Sequence, residues 1–168
     1  HDKYQTYKDG RRVTPNELKE QFPVAKKLVE AMGITYYEID NYEADDIIGT
    51  FAKKVDEDKE FIATIVSSDK DLLQLISDEV DVKLLKQTGF IRMDTKEFFN
   101  TYGVEPKKMV DLKALMGDAS DNIPGVKGIG EKTAINLIQE YGSLENLYNN
   151  LDSVKGKLHD KLASDKDN

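Results

Sequence analysis

The run FIATIV, residues 61–66, most constrains the fold. Six apolar or β-branched residues in a row predict a strand covered on both faces, as in a parallel sheet. Helical spacing surrounds it. Leu18, Phe22, Ala25, Leu28, Val29 and Met32 mark one helix, with Thr14, Pro15 and Glu17 reading as its capping box and Gly33 as its end. Ala44, Ile47, Ile48, Phe51, Ala52 and Val55 mark another, and a short helix is expected at about 70–76. ITYYEI (34–39), VDVKLL (80–85) and FIRM (90–93) read as further strands, the last two around Thr88 and Gly89. This order predicts an α/β fold, a mixed, mostly parallel sheet flanked by helices.

From Asp94 onward only helical signals remain: one helix from Asp94, a first turn at Pro106, a helix from Lys132 to Tyr141, and one capped by Ser143. The expected organisation is an α/β part over 1–93 and an all-helical part over 94–168, with a frayed end. Residues 1–13 show no apolar period and interleave four basic residues with Tyr4 and Tyr7, so they read as an arm.

The chain is long enough to bury a core without staples. It has no cysteine, which excludes disulfides and thiolate metal sites and fits a cytoplasmic protein. No apolar run is long enough to span a membrane. The formal charge of −8 argues, taken whole, against a polyanionic partner.

The distribution of the acids changes that argument. Glu43, Asp45 and Asp46 follow one expected strand and open a helix; Asp69 and Asp71 follow FIATIV; Asp118 and Asp121 stand three apart, on one side of a helical turn. Helix capping accounts for any one cluster by itself. Taken together, seven carboxylates fall at three element ends, and ligands bind beyond the carboxyl ends of strands in open α/β sheets. Converging carboxylates repel unless a cation joins them. Hard oxygen donors suit Mg²⁺ or Mn²⁺, and with only His1 and His159 available, zinc is disfavoured. Without these seven the formal charge is −1.

Just after the last pair comes GVKGIG, residues 125–130. Gly125, Gly128 and Gly130 let a backbone approach phosphate closely, and Lys127 and Lys132 add positive charge. A helix N-terminus near Glu131 adds anion affinity. The stretch reads as the hairpin of a helix-hairpin-helix motif, holding a DNA backbone without reading sequence.

YEADD, SSDKDLLQL and GDASDNIPGVKGIGEKTA, in this order and spacing, resemble the 5′-nuclease (flap endonuclease) superfamily. The similarity is greatest to the amino-terminal 5′→3′ exonuclease domains of bacterial DNA polymerase I enzymes. The resemblance implies a PIN-like sheet, an arch and a helix-hairpin-helix region. It implies a metal-dependent hydrolase acting on DNA phosphodiesters at 5′ ends and flap junctions in replication and repair. The seven carboxylates would be the metal-site residues, holding two Mg²⁺ or Mn²⁺ ions. Lys8 and Arg11, in a stretch similar to the start of the arch, would act on the scissile phosphate. The hairpin would also bind K⁺ through main-chain carbonyls, with Val126 and Ile129 as candidates, and a polymerase domain would follow. The family also has an earlier segment, carrying a strand and two further metal-site aspartates, that has no counterpart before His1. The expectation is an incomplete sheet and weak or no nuclease activity from this stretch alone.

Two other readings compete. A non-catalytic DNA-binding module would use only the hairpin, leaving the first two acidic clusters unexplained. A haloacid-dehalogenase-type phosphotransferase would place a DxD after a strand, as Asp69 and Asp71 do. Leu73 then stands where Thr or Val is expected, and the glycine loop has no role.

Overall fold

The computed structural model describes residues 4–166, so His1 lies outside the described residues. Helix α1 spans Asn16–Ala31. Its N-cap is Pro15 with no side-chain hydrogen bond, so the expected Thr14 capping box does not form. Gly33 does end it, in the left-handed region at φ +72°. The expected apolar stripe is present but buries no residue: Leu18, Phe22, Leu28 and Met32 are exposed and Val29 is half-buried.

Residues 34–39 form no strand, contrary to expectation. A strand needs a neighbour for its backbone groups, and among the described residues no strand pairs with this segment. Its side chains are held locally instead. Tyr36 donates to Glu38 at 2.9 Å, and Tyr37 packs on Phe51 with ring centroids 5.3 Å apart.

Helix α2 (Ala44–Asp58) follows, with the Glu43 N–H donating to the Asp46 carboxylate at 2.9 Å. Then come β1 (Ala63–Ser67), a 3₁₀ turn over Lys70–Leu75, β2 (Val80–Lys86) and β3 (Gly89–Met93). The sheet has order β1-β2-β3 and is mixed. β1 runs parallel to β2 with Ile65 opposite Val82, and β2 runs antiparallel to β3 with Leu84 opposite Ile91.

FIATIV is covered on one face only. Ile65 is buried, whereas Val66 is 62% and Ile62 87% exposed. The buried face of the sheet (Val80, Val82, Leu84 and Met93) packs with Leu72, Leu73 and Phe98.

β3 is the last strand among the described residues. α3 (Thr95–Tyr102) is capped by Asp94, whose carboxylate accepts the Glu97 N–H at 2.8 Å. A 3₁₀ turn beginning at Pro106 leads into α4 (Met109–Met116). α5 spans Glu131–Tyr141, and α6 spans Leu144–Asn149 with Ser143 as its cap. The expected frayed end is instead a helix, α7 (Lys157–Ser164), with Leu162 fully buried. Burying one leucine is worth about 1.5–3 kcal/mol, enough to hold a short helix that its many Lys and Asp residues would not. Leu112, Leu115, Ile138, Leu147 and Leu162 join the sheet residues in one core, so the helices and the sheet are packed together.

Candidate active site

Each acidic cluster sits where a local backbone rule places it. Asp46 closes the first turn of α2, and Asp45 lies beside it on the same turn. Asp69 follows β1 and accepts the Asp71 N–H at 2.9 Å, so capping and site placement operate together there. Asp118 and Asp121 do not share a helical turn as expected. Gly117 ends α4 at φ +70°, and residues 118–123 close a tight loop. In that loop Asp118 and Ile123 exchange two backbone hydrogen bonds, each 2.8 Å. Gly117 is required because a Cβ there would stand 2.4 Å from the Gly125 nitrogen. One close backbone contact thus joins the end of α4 to the start of the glycine hairpin.

The clusters are brought together by basic side chains. The Lys113 ammonium, in the last turn of α4, lies 2.6 Å from Asp71 and 2.8 Å from Asp118. Lys8 pairs with Glu43, and Arg11 with Asp121. The arm is also sewn to the loop by its backbone. The Lys8 N–H donates to the Asp121 carbonyl at 2.9 Å, and the Asn122 amide donates to the Thr6 carbonyl at 2.9 Å. Lys8 itself holds a left-handed φ of +64°, a conformation that costs free energy for a non-glycine residue. A groove of about 500 Å³ is lined by Asp45, Asp46 and Asp71, with Thr50 and Lys53 at its side.

The electrostatics follow this placement. Partial burial pushes the Asp45 carboxyl up, and the carboxylates of Asp69 and Glu43 push it further. Burial works against the Asp118 carboxylate too, but hydrogen bonds from Lys113 and Ser120 outweigh it and hold the group well below the usual range. Ser120 donates to Asp118 through its N–H at 2.8 Å and its hydroxyl at 2.6 Å.

The donor set fits a hard divalent cation: it is all oxygen, and the Lys113 ammonium already stands as a positive charge between two of its members. Among the described residues no three acids are grouped tightly enough to chelate one ion unaided. Water would have to complete any coordination shell, as Mg²⁺ readily allows.

In the hairpin, Val126 and Ile129 turn their side chains into the core, and the Val126 N–H donates to the Leu115 carbonyl at 2.8 Å. The Val126 carbonyl accepts the Ile129 N–H at 3.0 Å. Gly130 faces open space, since an added Cβ there would meet no atom within 4 Å. Lys132 lies in the first turn of α5, and Lys70 pairs with Glu131 at 3.8 Å. The Lys127 N–H donates to the Asp165 carboxylate at 2.7 Å.

Sequence reasoning missed Lys113 and Asp165. Lys113 stands five residues before Asp118, a spacing with no motif meaning. Its relation to Asp71 exists only in three dimensions.

An α/β sheet with acids at its element ends, joined to a helical unit with a glycine hairpin, defines a protein of the flap-nuclease fold. The chain belongs to the 5'-3' exonuclease family: the family's N-terminal resolvase-like domain matches residues 1–103 and its C-terminal SAM fold matches residues 104–168. DNA polymerase I of Lactococcus lactis subsp. cremoris is 47% identical over 165 residues, which are 96% of this chain and 19% of that protein. This chain therefore spans about a fifth of that relative's length. Among solved structures, the bacteriophage T5 5'-exonuclease with bound zinc is 28% identical with a TM-score of 0.76, covering 96% of this chain and 63% of that one. The bacteriophage T5 flap endonuclease in a pseudo-enzyme-product complex with DNA and metal ions is 28% identical with a TM-score of 0.75, at the same coverage.

Proposed function

We propose that this chain forms the site of a metal-dependent 5′→3′ exonuclease and flap endonuclease acting on DNA. The observation that carries this reading is the meeting of three sequence-distant acidic clusters, Asp71 to Asp118 through Lys113, with Asp121 and Glu43 paired to the basic arm. A DNA-binding module alone has no use for that convergence. A haloacid-dehalogenase-type phosphotransferase does not explain the hairpin.

In this reading Glu43, Asp45, Asp46, Asp69, Asp71, Asp118 and Asp121 hold divalent ions, directly or through water. Mg²⁺ or Mn²⁺ is proposed as the resident ion, and zinc in the T5 relative is compatible with the same oxygen donors. The chemistry such ions supply is Lewis acidity toward a phosphodiester and its attacking water. Lys8 and Arg11, positioned by the Asp121 loop, place positive charge where a scissile phosphate gains negative charge. Gly125, Gly128 and Gly130, with Lys127 and Lys132, hold the duplex backbone at a distance from the cut. Val126 and Ile129 remain the proposed carbonyl donors to K⁺.

The relatives' name supports a polymerase domain continuing the same polypeptide. The proposed division of labour is a strand-bearing part up to Met93 and a helical part from Asp94. No described helix is long and apolar enough to cross a membrane, which accords with the proposed place among cytoplasmic DNA enzymes.

The test is cleavage of a 5′-flap DNA labelled at its 5′ end, in Mg²⁺, Mn²⁺ and EDTA. This chain and a form extended at its N-terminus are assayed together, with Asp69→Asn and Asp121→Asn as controls. Metal-dependent cleavage that both substitutions abolish supports the reading. DNA binding without cleavage by either form would leave the hairpin module as the better account.

A further inference from the structure

The Lys113 side chain touches acids from both halves of the chain. Asp71 follows β1, and Asp118 follows α4. Both carboxylates lie within 2.8 Å of the same nitrogen. Lys113 sits in the last turn of α4, where a helix end favours positive charge. Its side chain is 30% exposed, so it is neither a solvated surface lysine nor sealed from exchange. An ammonium and a divalent cation cannot share the space between the same two oxygens, because both need short contacts and they repel each other.

We infer that Lys113 is a tethered counter-ion of the acidic site, joining Asp71 to Asp118 in the absence of metal and giving way when a divalent ion binds them. It is a positioning residue that sets how much metal the site requires. This rests on the reading of Asp71 and Asp118 as metal-site residues. The consequence is a trade. The metal-free fold gains an ion pair across its two halves, and the metal must displace that pair to enter.

The experiment compares the full chain with its Lys113→Met and Lys113→Arg variants by calorimetric Mn²⁺ titration and by thermal melting in EDTA and in Mn²⁺. Lys113→Met is expected to bind Mn²⁺ about tenfold more tightly. It should melt lower than wild type in EDTA and recover the difference in Mn²⁺. Lys113→Arg, which keeps the charge, should stay within about twofold of wild type. In the unaltered chain, acylation of Lys113 read by mass spectrometry should speed up several-fold on adding Mg²⁺, relative to exposed Lys155, which lies outside the acidic groove. That measurement decides the matter if Lys113→Met does not fold. Equal Mn²⁺ affinity in wild type and Lys113→Met, or Lys113 acylation indifferent to Mg²⁺, overturns the inference while leaving the metal site intact. Absence of Mn²⁺ binding in every form overturns both.

Discussion

The Asp165 carboxylate accepts the backbone N–H of Lys127 at 2.7 Å, so a side chain beyond α7 occupies a donor of the glycine hairpin. Beside it, the Lys161 ammonium lies 3.3 Å from the Gly128 carbonyl. An acid thus occupies a hairpin donor that the proposed function assigns to a DNA phosphate, and a base sits on a carbonyl of the same turn. Asp165→Ala removes a negative charge and frees the N–H, while buried Leu162 keeps α7 in place. DNA affinity, followed by fluorescence anisotropy at fixed salt, should rise about two- to fivefold. Unchanged or weaker binding would mean that the hairpin N–H does not meet DNA.

The same contact should respond to acid. The Lys127 N–H, a second bond from Ser164 and an opposing desolvation leave the Asp165 carboxyl below its ordinary value of 3.8. A group lowered in the folded state stabilises above its unfolded value and loses that contribution as pH falls through the folded one. Amide exchange at Lys127, measured by NMR, should stay protected from neutral pH down to about 4 and lose that protection only below it. Loss of protection at pH 6 would contradict this assignment.

Lys127→Ala and Lys132→Ala should each weaken DNA binding without regard to sequence. Each should reduce the slope of log affinity against log salt by about one if each contacts one phosphate. An unchanged salt slope in both variants would remove the hairpin from the interface.

Gly125 packs against Gly117 so closely that a Cβ on Gly125 would stand 2.2 Å from the Gly117 nitrogen. Backbone cannot yield as a flexible side chain does. Gly125→Ala should destabilise the fold by at least about 3 kcal/mol in urea unfolding. Gly130→Ala, built into open space, should cost less than about 1 kcal/mol and makes the control.

Phe98 is fully buried and packs on Tyr102, ring centroids 4.6 Å apart and planes tilted by 35°. Phe98→Ala should cost about 3–5 kcal/mol. It should also broaden the unfolding of both the sheet and the helices, because they share this core. A loss confined to α3 would show that the two parts unfold independently.

Local patterns made much of this protein legible in its sequence. The α2 spacing, the β2–β3 hairpin at Thr88 and Gly89, the Asp94 and Ser143 caps and the helix after Gly130 all depend on residues within a few positions of one another. The motifs that place acids at element ends and glycines in a hairpin are equally local. They were enough to identify the family and to name seven carboxylates. What failed locally was burial. FIATIV and ITYYEI carry strand patterns, but a strand forms and is covered only where another segment lies beside it, and no propensity encodes that. Tertiary structure alone decided that α7 packs on the hairpin and that Lys113 reaches Asp71. Those contacts join residues far apart in the chain, and their energy comes from partners that only the assembled core brings within reach.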